Sequence, residues 1–351
     1  MIVGRLGPAL ALGSAVLFGL SAPASKLLLG VVDPWLLAAL LYLGSGVGLA
    51  LYRLARRLTS PTPAEAPIGR RHLPWLAGAI VCGGVVGPVL LMFGLASGSA
   101  TQAALLLNLE GVFTALLAWF VFRENFDARI ALGMAAIAAG AAVLSWQPSG
   151  ALAFDRSAVL VAGACLAWAI DNNLTRKVSE GDPVQIAMIK GTMAGGVNLV
   201  LALGLGAKWP TTPVVLSAAL VGLVAYGTSL ALFVAALRVL GTARTGAYFS
   251  TAPFVGAVGA VVMLSEPVTA RLVVAAAVMA VGVWLHLTER HEHDHVHGAL
   301  EHDHLHRHDE HHQHEHAPSI DVREPHSHRH VHTALRHRHP HYPDLHHRHG
   351  H

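Results

Sequence analysis

Three ionisable residues, Glu110, Asp171 and Lys190, lie inside long apolar stretches of the sequence. A charged side chain at the centre of a bilayer costs about 2.5–3.5 kcal/mol on insertion scales, so each of these residues requires a partner or a function. Glu110 lies thirteen residues before Arg123. That separation is about 20 Å along a helix, which places Glu110 near the middle of a membrane. We expect Glu110 to bind a cation or to carry a coupling proton, and a structural bond to a neighbouring helix is the alternative.

Two polar residues close to Glu110 are further candidates for binding a substrate or a coupling ion. Thr114 follows one helical turn later and lies on the same helix face as Glu110. Asn108 precedes Glu110 by two residues, so its direction differs from that of Glu110 by about 200°. Asn108 therefore belongs to a different face of the same helix.

Asp171 and Lys190 are predicted to meet near one membrane surface. Asp171 lies five residues before Arg176, and Lys190 lies eight residues after Asp182. These separations correspond to depths of about 8 and 12 Å from the same side. The pair is either a structural ion pair or part of a gate or binding site. Trp168 shares a helix face with Asp171 and is a candidate cavity wall, with ordinary packing as the alternative.

Three prolines interrupt apolar stretches at Pro23, Pro88 and Pro253. Proline removes a backbone hydrogen bond and kinks a helix, which frees a carbonyl group beside a cavity or hinge. We predict a helix kink at each of the three positions, although such kinks are also common in membrane helices without a functional role.

The last 61 residues hold 23 of the 25 histidines, which alternate with other residues, as in His291-Glu292-His293. Apolar residues are few and proline recurs, so the segment 291–351 is predicted to be a disordered tail. Imidazole suits zinc, copper and nickel ions, so we expect several weak, exchangeable metal sites. The alternatives are a tail whose charge responds to pH and a low-complexity segment whose sequence drifts without a function. The candidate ligands are His291, His293, His295, His297, His302, His304, His306, His308, His311, His312, His314 and His316.

The composition is that of an integral membrane protein, with 53% hydrophobic and 13% charged residues among 351. Backbone polar groups in lipid must pair within the chain, so the apolar spans are predicted to be helices. Both cysteines lie inside such spans, and a disulfide framework is not expected. We predict ten transmembrane helices, at roughly 8–30, 35–56, 74–96, 99–122, 128–146, 157–177, 184–205, 213–237, 242–264 and 269–288.

The ten spans divide into two equivalent sets of five, at residues 8–146 and 157–288. Asp33-Pro34 after the first span matches Asp182-Pro183 after the sixth, and Glu124 matches Glu266, 142 residues later. Five is an odd number, so the second set must enter the membrane upside down. Inverted repeats are typical of secondary transporters, with the substrate site near the midplane between the halves. We interpret Glu124 and Glu266 as helix-end residues that support the repeat.

The positive-inside rule predicts that both termini are cytoplasmic. With that orientation, thirteen Lys and Arg residues lie at inner span ends and four at outer ends. Six of the seven tryptophans fall near span ends, as is typical of residues at a membrane interface. We therefore expect a multi-pass protein of the inner membrane, with the lipid bilayer as its main partner.

Residues 8 to 288 resemble the paired EamA domains of the drug/metabolite transporter superfamily. The resemblance is carried by the helix–acidic–helix pattern at Ala103–Leu144 and Thr245–Leu285. The second half comes close to the family pattern from Thr251-Ala252-Pro253-Phe254 to Leu264-Ser265-Glu266-Pro267, whereas the first half has Glu110-Gly111 in place of Ala252-Pro253. The resemblance implies a substrate carrier with a central cavity between the halves.

The sequence favours a secondary transporter of a small metabolite or amino acid that works by alternating access, with proton coupling through Glu110 as an option. The first alternative is a carrier of divalent nickel, cobalt or zinc, with the tail as a metal sensor. Only Cys82, Cys165 and His286 of the soft-ligand residues lie in the spans, far apart in sequence. The second alternative is a membrane-anchored metal store or scaffold. We expect no enzyme activity, no required cofactor and no nucleic-acid partner, and the sequence leaves the oligomeric state open.

Overall fold

The chain is an all-helical membrane protein followed by a histidine-rich segment. The computed structural model describes residues 3–59, 72–122, 128–146, 155–175, 178, 182–288, 291–297, 300–306, 326–332 and 335–341. Within these ranges, eight helical stretches are long and apolar enough to cross a membrane. They coincide with the first eight predicted spans. The ninth and tenth predicted spans correspond to two shorter apolar helices.

The first half contains α1 (Val3–Gly19), α2 (Ser21–Leu28), α3 (Pro34–Thr59), α4 (Leu73–Ala79), a π-helical segment (Ile80–Val86), α5 (Gly87–Ser97), α6 (Ala100–Leu106), α7 (Leu109–Phe122) and α8 (Ala128–Ser145). The second half contains α9 (Arg156–Thr175), α10 (Pro183–Gly204), α11 (Thr212–Val221), a second π-helical segment (Gly222–Thr228), α12 (Ser229–Phe249), α13 (Ala252–Leu264) and α14 (Ala270–Leu287).

Each of the three prolines predicted to kink a helix lies in the first turn of a new helical segment. Pro23 is in the first turn of α2, Pro88 follows the first π-helical segment in α5, and Pro253 is in the first turn of α13. At Pro253 the first turn of α13 has no partner for the missing N–H, because the turn at Ser250-Thr251 separates α13 from α12. The helical stretches Gly7–Leu28 and Leu73–Ser97 continue through Pro23 and Pro88.

Irregular backbone recurs at equivalent positions in the two halves. The π-helical segments begin at Ile80 and Gly222, which are 142 residues apart. The spans that follow them are broken at Leu107-Asn108 and at Ser250-Thr251, which are 143 residues apart. The spacing is within one residue of the 142 between Glu124 and Glu266, although Glu124 itself lies outside the described residues.

Asp33 and Asp182 each cap the start of a helix, at opposite ends of the molecule. Asp33 accepts hydrogen bonds from the backbone N–H groups of residues 35 and 36 at the start of α3, and Asp182 accepts them from residues 184 and 185 at the start of α10. Both are N-caps of the preferred type. Asp182 also pairs with Arg53 at 2.9 Å, near the far end of α3 from Asp33. The two caps are thus about 30 Å apart along α3.

The packing of the helices has the same symmetry. Two pairs, α3 with α10 and α8 with α14, join equivalent helices of the two halves. Other pairs between the halves come in equivalents: α1 with α12 and α9 with α5, α1 with α13 and α9 with α7, and α3 and α10 each with the π-helical segment of the other half. Exchanging the halves maps these pairs onto one another, whereas the pair of α6 and α13 has no such equivalent among the close pairs of the described residues.

Glycine allows α3 to cross the second π-helical segment at backbone contact. A Cβ atom at Gly222 would overlap the carbonyl oxygen of Leu41, and one at Gly44 would overlap that of Ala219. Small residues are the usual means of close helix approach in membranes. The crossing fixes the position of α3 between the halves.

We expect Gly222→Ala to destabilise the protein by about 1–3 kcal/mol, because the added methyl group has no space against the backbone of Leu41. Thermal unfolding of the detergent-solubilised protein measures the effect. Gly196→Ala is the matched control, because a Cβ there meets nothing within 4 Å. Equal unfolding midpoints for the two variants would contradict the close crossing.

Within the histidine-rich segment the structure describes four short strands, β1 (His291–His297), β2 (Leu300–His306), β3 (His326–His332) and β4 (Leu335–His341). β1 pairs with β4 and β2 pairs with β3, both antiparallel. The alternation of histidine with other residues has the period of two that a strand requires. Disorder of the segment 291–351 as a whole stays a prediction. The candidate ligands His308, His311, His312, His314 and His316 lie outside the described residues.

Candidate functional site

The break between α6 and α7 sets the position of Glu110. The backbone N–H of Glu110 donates to the carbonyl of Leu107 at 3.1 Å, in the first turn of α7. A carboxylate at a helix N-terminus is favoured by the partial positive charge of that end. Asn108 is buried, and its amide donates to the carbonyl of Leu105 at 2.9 Å. The Asn108 side chain therefore stabilises the backbone at the break between α6 and α7. The structure does not place it beside Glu110 as a second ligand.

Asn172 on α9 is the hydrogen-bond partner of Glu110. Its side-chain amide donates to the Glu110 carboxylate at 2.8 Å and lies 3.4 Å from the Thr114 hydroxyl. Glu110 and Thr114 are half-buried and Asn172 is exposed. The Glu110 carboxylate is therefore partly accessible, and it accepts the hydrogen bond from Asn172 at one of its two oxygen atoms.

The structure brings Asp171 and Lys190 together. The Lys190 ammonium group lies 2.5 and 2.7 Å from the two carboxylate oxygens of Asp171, and the side chains are 18% and 9% exposed. The Thr175 hydroxyl donates to Asp171 at 2.8 Å and lies 3.1 Å from Lys190. The pair is bidentate and hydrogen-bonded, which is the geometry that offsets the cost of burying two charges.

We expect Lys190→Met to lower the free energy of unfolding by about 3–5 kcal/mol, because the Asp171 carboxylate is left buried without its cation. The double variant Asp171→Asn with Lys190→Met should recover most of that stability, since no charge remains. Thermal unfolding in detergent measures both. Ser217→Ala is the control, because the Ser217 hydroxyl is exposed and bonds only to its own helix at Pro213. A double variant as unstable as the single one would show that the ion pair is not the cause.

The first π-helical segment offers backbone carbonyls to side chains from three other helices. The Gly83 carbonyl accepts from the Tyr42 hydroxyl at 2.9 Å and from the Trp168 indole N–H at 2.8 Å. The Gly84 carbonyl accepts from the Asn198 amide at 3.0 Å. π-Helical turns free such groups and are frequent at functional sites. Trp168 is buried and held by this bond, so it packs within the bundle and is not placed as a cavity wall.

Consecutive residues of α9 connect the two polar groups. Asp171 faces Lys190 and the first π-helical segment, where a Cβ at Gly83 would overlap the Asp171 carboxylate. Asn172 faces Glu110 on α7. One helix therefore links the carboxylate at the α6–α7 break to the ion pair on α10. We call Glu110, Asn172 and Thr114, together with Asp171 and Lys190, the polar cluster.

Glu266 joins the halves at one end of the bundle. Its carboxylate accepts from the hydroxyls of Ser99 and Thr101, both at 2.5 Å, and from the backbone N–H groups of Ala100 and Thr101 at 2.8 and 2.9 Å. Burial alone would raise the pKa of Glu266, but these hydrogen bonds outweigh it and hold the pKa below its usual value. Ser265, just before it, has a left-handed φ of 54°. We call this contact the Glu266 latch.

The equivalent of the Glu110 region in the second half is apolar. A groove of about 590 Å³ lies beside the break between α12 and α13 and is lined by Leu20, Thr251, Phe254 and Val255 among others. Among the described side chains of residues 3–288, no three His, Cys, Asp or Glu residues come together as a metal site. The polar cluster is thus confined to the first of the two helix breaks.

Sequence reasoning missed Asn172 as the partner of Glu110, and it missed Tyr42 and Asn198. Asn172 lies four residues before Arg176, and nothing in that position indicates a contact with α7. The glycine pair Gly83-Gly84 was the available signal for irregular backbone in the third span. Tyr42 and Asn198 carry no signal of their own in the sequence.

Comparison with known proteins also indicates a membrane transporter built from two similar halves. The sequence model described as the EamA-like transporter family matches residues 5–146 and again 156–288. An uncharacterized transporter of Methanothermobacter thermautotrophicus is 28% identical over 285 residues, which cover 78% of this chain and 83% of that protein. A solved crystal structure superposes with a TM-score of 0.56 at 16% identity, covering 80% of this chain and 95% of the other, and this likeness concerns the fold alone.

Proposed function

Because the chain belongs to the EamA-like transporter family and is a multi-pass membrane transporter, we propose that it moves a small metabolite or amino acid by alternating access, with the polar cluster as its substrate and coupling site. The observation that carries the proposal is the Glu110 carboxylate, which lies half-buried at a helix break and is hydrogen-bonded by Asn172 from the other half. A broken helix at the interface of two halves is the usual location of a transporter site.

The proposed architecture is ten spanning helices in two inverted five-helix repeats, at 8–146 and 157–288. The matching caps at Asp33 and Asp182 support it, because they lie near opposite ends of α3. The shorter helices α13 and α14 complete the second repeat. With the positive-inside rule, the Asp182 end faces the cytoplasm, both termini are cytoplasmic, and the Glu266 latch is on the outer side.

A difference between the two ends supports alternating access. At the Glu266 end, α6 packs closely against α13. The equivalent pair at the other end, α7 and the last two turns of α12, does not pack closely along its length in the described part of the chain. The bundle is therefore closed at the Glu266 end, and the proposed cycle exchanges the closed end for the other one.

In the proposed cycle Glu110 binds either a proton or a cationic amine of the substrate. An ionised carboxylate offers only acceptor oxygens and a negative charge, whereas a protonated one is neutral and carries an O–H donor, so a bound proton and a bound ammonium group compete for Glu110. Competition of this kind couples the movement of a proton to that of a substrate. The ion pair of Asp171 and Lys190 holds α9 and α10 together behind the site.

The proposal is tested by a sensitivity screen of cells that express the chain. Full-length protein and a truncation after Arg290 are compared with an empty vector, against toxic amino acids and amines and against Ni²⁺, Co²⁺ and Zn²⁺. We expect an altered tolerance of an organic solute that both proteins confer equally. Altered metal tolerance that depends on residues 291–351 would overturn the proposal in favour of a metal carrier.

A further inference from the structure

Four aromatic rings form a continuous row across the interface of the two halves. The ring of Tyr42 on α3 lies 5.7 Å, between centroids, from that of Tyr226 in the second π-helical segment. The Tyr226 ring is 5.8 Å from that of Phe18 on α1, and the Phe18 ring is 5.4 Å from that of Phe249, the last residue of α12. The rings therefore come alternately from the first and the second half. We call these four residues the aromatic row.

The aromatic row runs from the polar cluster to the second helix break. At one end the Tyr42 hydroxyl donates to the Gly83 carbonyl at 2.9 Å. The Asp171 carboxylate is so close to Gly83 that a Cβ atom there would overlap it. At the other end Phe249 directly precedes the break at Ser250-Thr251 between α12 and α13. The row thus connects the two positions at which a spanning helix is interrupted.

The rings of the aromatic row are half-buried, so part of each ring stays accessible between the helices. Aromatic pairs are favourable at centroid separations of about 4.5–7 Å, which includes all three contacts of the row. The rings are therefore held in place by one another before a ligand arrives. A preorganised surface of this kind costs little conformational entropy when it binds.

The polar cluster carries one negative charge that its own residues do not balance. Lys190 lies on both carboxylate oxygens of Asp171, so these two charges cancel. The Glu110 carboxylate accepts its hydrogen bond from the neutral Asn172 amide. An ionised Glu110 is therefore complementary to a single positive charge. A ligand with an additional carboxylate would need a second cation, and the cation of the polar cluster is already paired.

We propose that the aromatic row is the subsite for the organic part of the substrate, and that the substrate is a small monovalent amine with an aromatic or apolar body. The inference rests on the proposed transport function and narrows it, because it favours an amine over an amino acid. The ammonium group binds at Glu110, and the body of the substrate extends along the row from Tyr42. Aromatic rings suit such a ligand, because they attract cations at their faces and pack against other rings. Tyr42 and Tyr226, the two rings nearest the polar cluster, are the specificity-determining residues.

The first test compares three probes by titration calorimetry of the purified full-length protein. Phenethylammonium has both the charge and the ring, ethylammonium lacks the ring, and phenylalanine adds a carboxylate. We expect phenethylammonium to bind about tenfold more tightly, or more, than either of the others. Equal affinities for phenethylammonium and ethylammonium, tighter binding of phenylalanine, or no binding of phenethylammonium would each overturn the proposal.

The second test changes one ring of the row. Tyr226→Leu should weaken phenethylammonium binding by about tenfold and ethylammonium binding by less than about twofold. Tyr226→Phe keeps the ring and should keep the affinity, so a loss with Tyr226→Leu alone is not a loss of the hydroxyl. Phe120→Leu is the matched control, because Phe120 is 69% exposed and is not part of the row. Equal affinities of the Tyr226→Leu and Phe120→Leu variants would overturn the subsite.

The failure of this inference is distinguishable from the failure of the transport function. If the sensitivity screen identifies a carried amino acid or anion and phenethylammonium does not bind, transport stands and the aromatic row is not its subsite. If phenethylammonium binds through Tyr226 but the screen shows no altered tolerance of any organic solute, the subsite stands and the transport proposal fails.

Discussion

Glu110→Gln is expected to abolish substrate movement driven by a pH gradient in proteoliposomes. Glutamine keeps the size of the side chain and can accept the hydrogen bond from Asn172, but it can neither bind a proton nor carry a charge. The site would then have no group that exchanges a proton for a substrate. The uptake of the solute identified by the sensitivity screen, with and without an imposed gradient, measures the effect.

The result separates the possible roles of Glu110. If the Glu110→Gln variant still exchanges labelled for unlabelled solute across the membrane, Glu110 carries the coupling proton. If both activities fall to the background of empty vesicles, Glu110 also binds the substrate. Transport equal to that of the unaltered protein would make Glu110 a structural residue. Glu110→Asp is the conservative control, because it keeps the carboxylate and should retain pH-driven transport.

The sequence predicted the parts of this fold that depend on local rules. The match between Asp33-Pro34 and Asp182-Pro183 was visible because both are the same short motif, and in the structure both begin a helix with an aspartate N-cap followed by proline. Glu110 stood out because a carboxyl group in an apolar span is costly. These features can be read from a few neighbouring residues.

The features that sequence could not predict depend on contacts between distant helices. The Asn172 amide donates to the Glu110 carboxylate, although the two residues are 62 positions apart in the sequence. The Trp168 indole donates to the Gly83 carbonyl over a separation of 85 positions. Pro88 indicated a freed carbonyl one turn earlier, but no local pattern predicted that side chains of other helices would bind the carbonyls of Gly83 and Gly84. The pairing of strands in the tail was missed for the same reason, because it joins residues far apart in the chain.

Glu266→Ala is expected to open the end of the bundle that the Glu266 latch closes. The carboxylate accepts four hydrogen bonds from the start of α6, and a hydrogen bond to a charged group contributes about 1.5–3 kcal/mol. Loss of even one such bond shifts an equilibrium by about tenfold or more. The left-handed Ser265 adds to the effect, because the latch no longer holds that residue in place.

Labelling of a cysteine at Ala103 measures the opening. Ala103 is fully buried one turn beyond the latch, and Cys82 and Cys165 are first replaced by alanine. A membrane-impermeant thiol reagent should label Ala103→Cys about tenfold faster or more when Glu266→Ala is present. Ser97→Ala is the matched control at the same end, because the Ser97 hydroxyl bonds only to carbonyls of its own helix. Unchanged labelling with Glu266→Ala would show that other contacts close this end.

The pH dependence of the latch follows from the lowered pKa of Glu266. A carboxyl group whose folded-state pKa is depressed contributes its full stabilisation above its ordinary pKa of about 4.3, and loses it as the pH falls through the folded value. The ratio of Ala103→Cys labelling rates with and without Glu266→Ala should therefore be the same at about pH 6 and about pH 8, because the pH dependence of the thiol itself cancels in that ratio. The latch then stays charged while a proton binds elsewhere in the cycle.

Alternating access requires that opening one end of the bundle closes the other. Glu266→Ala should therefore also slow the labelling of a cysteine at the Asp182 end, and this reciprocity distinguishes a gate from a merely structural contact.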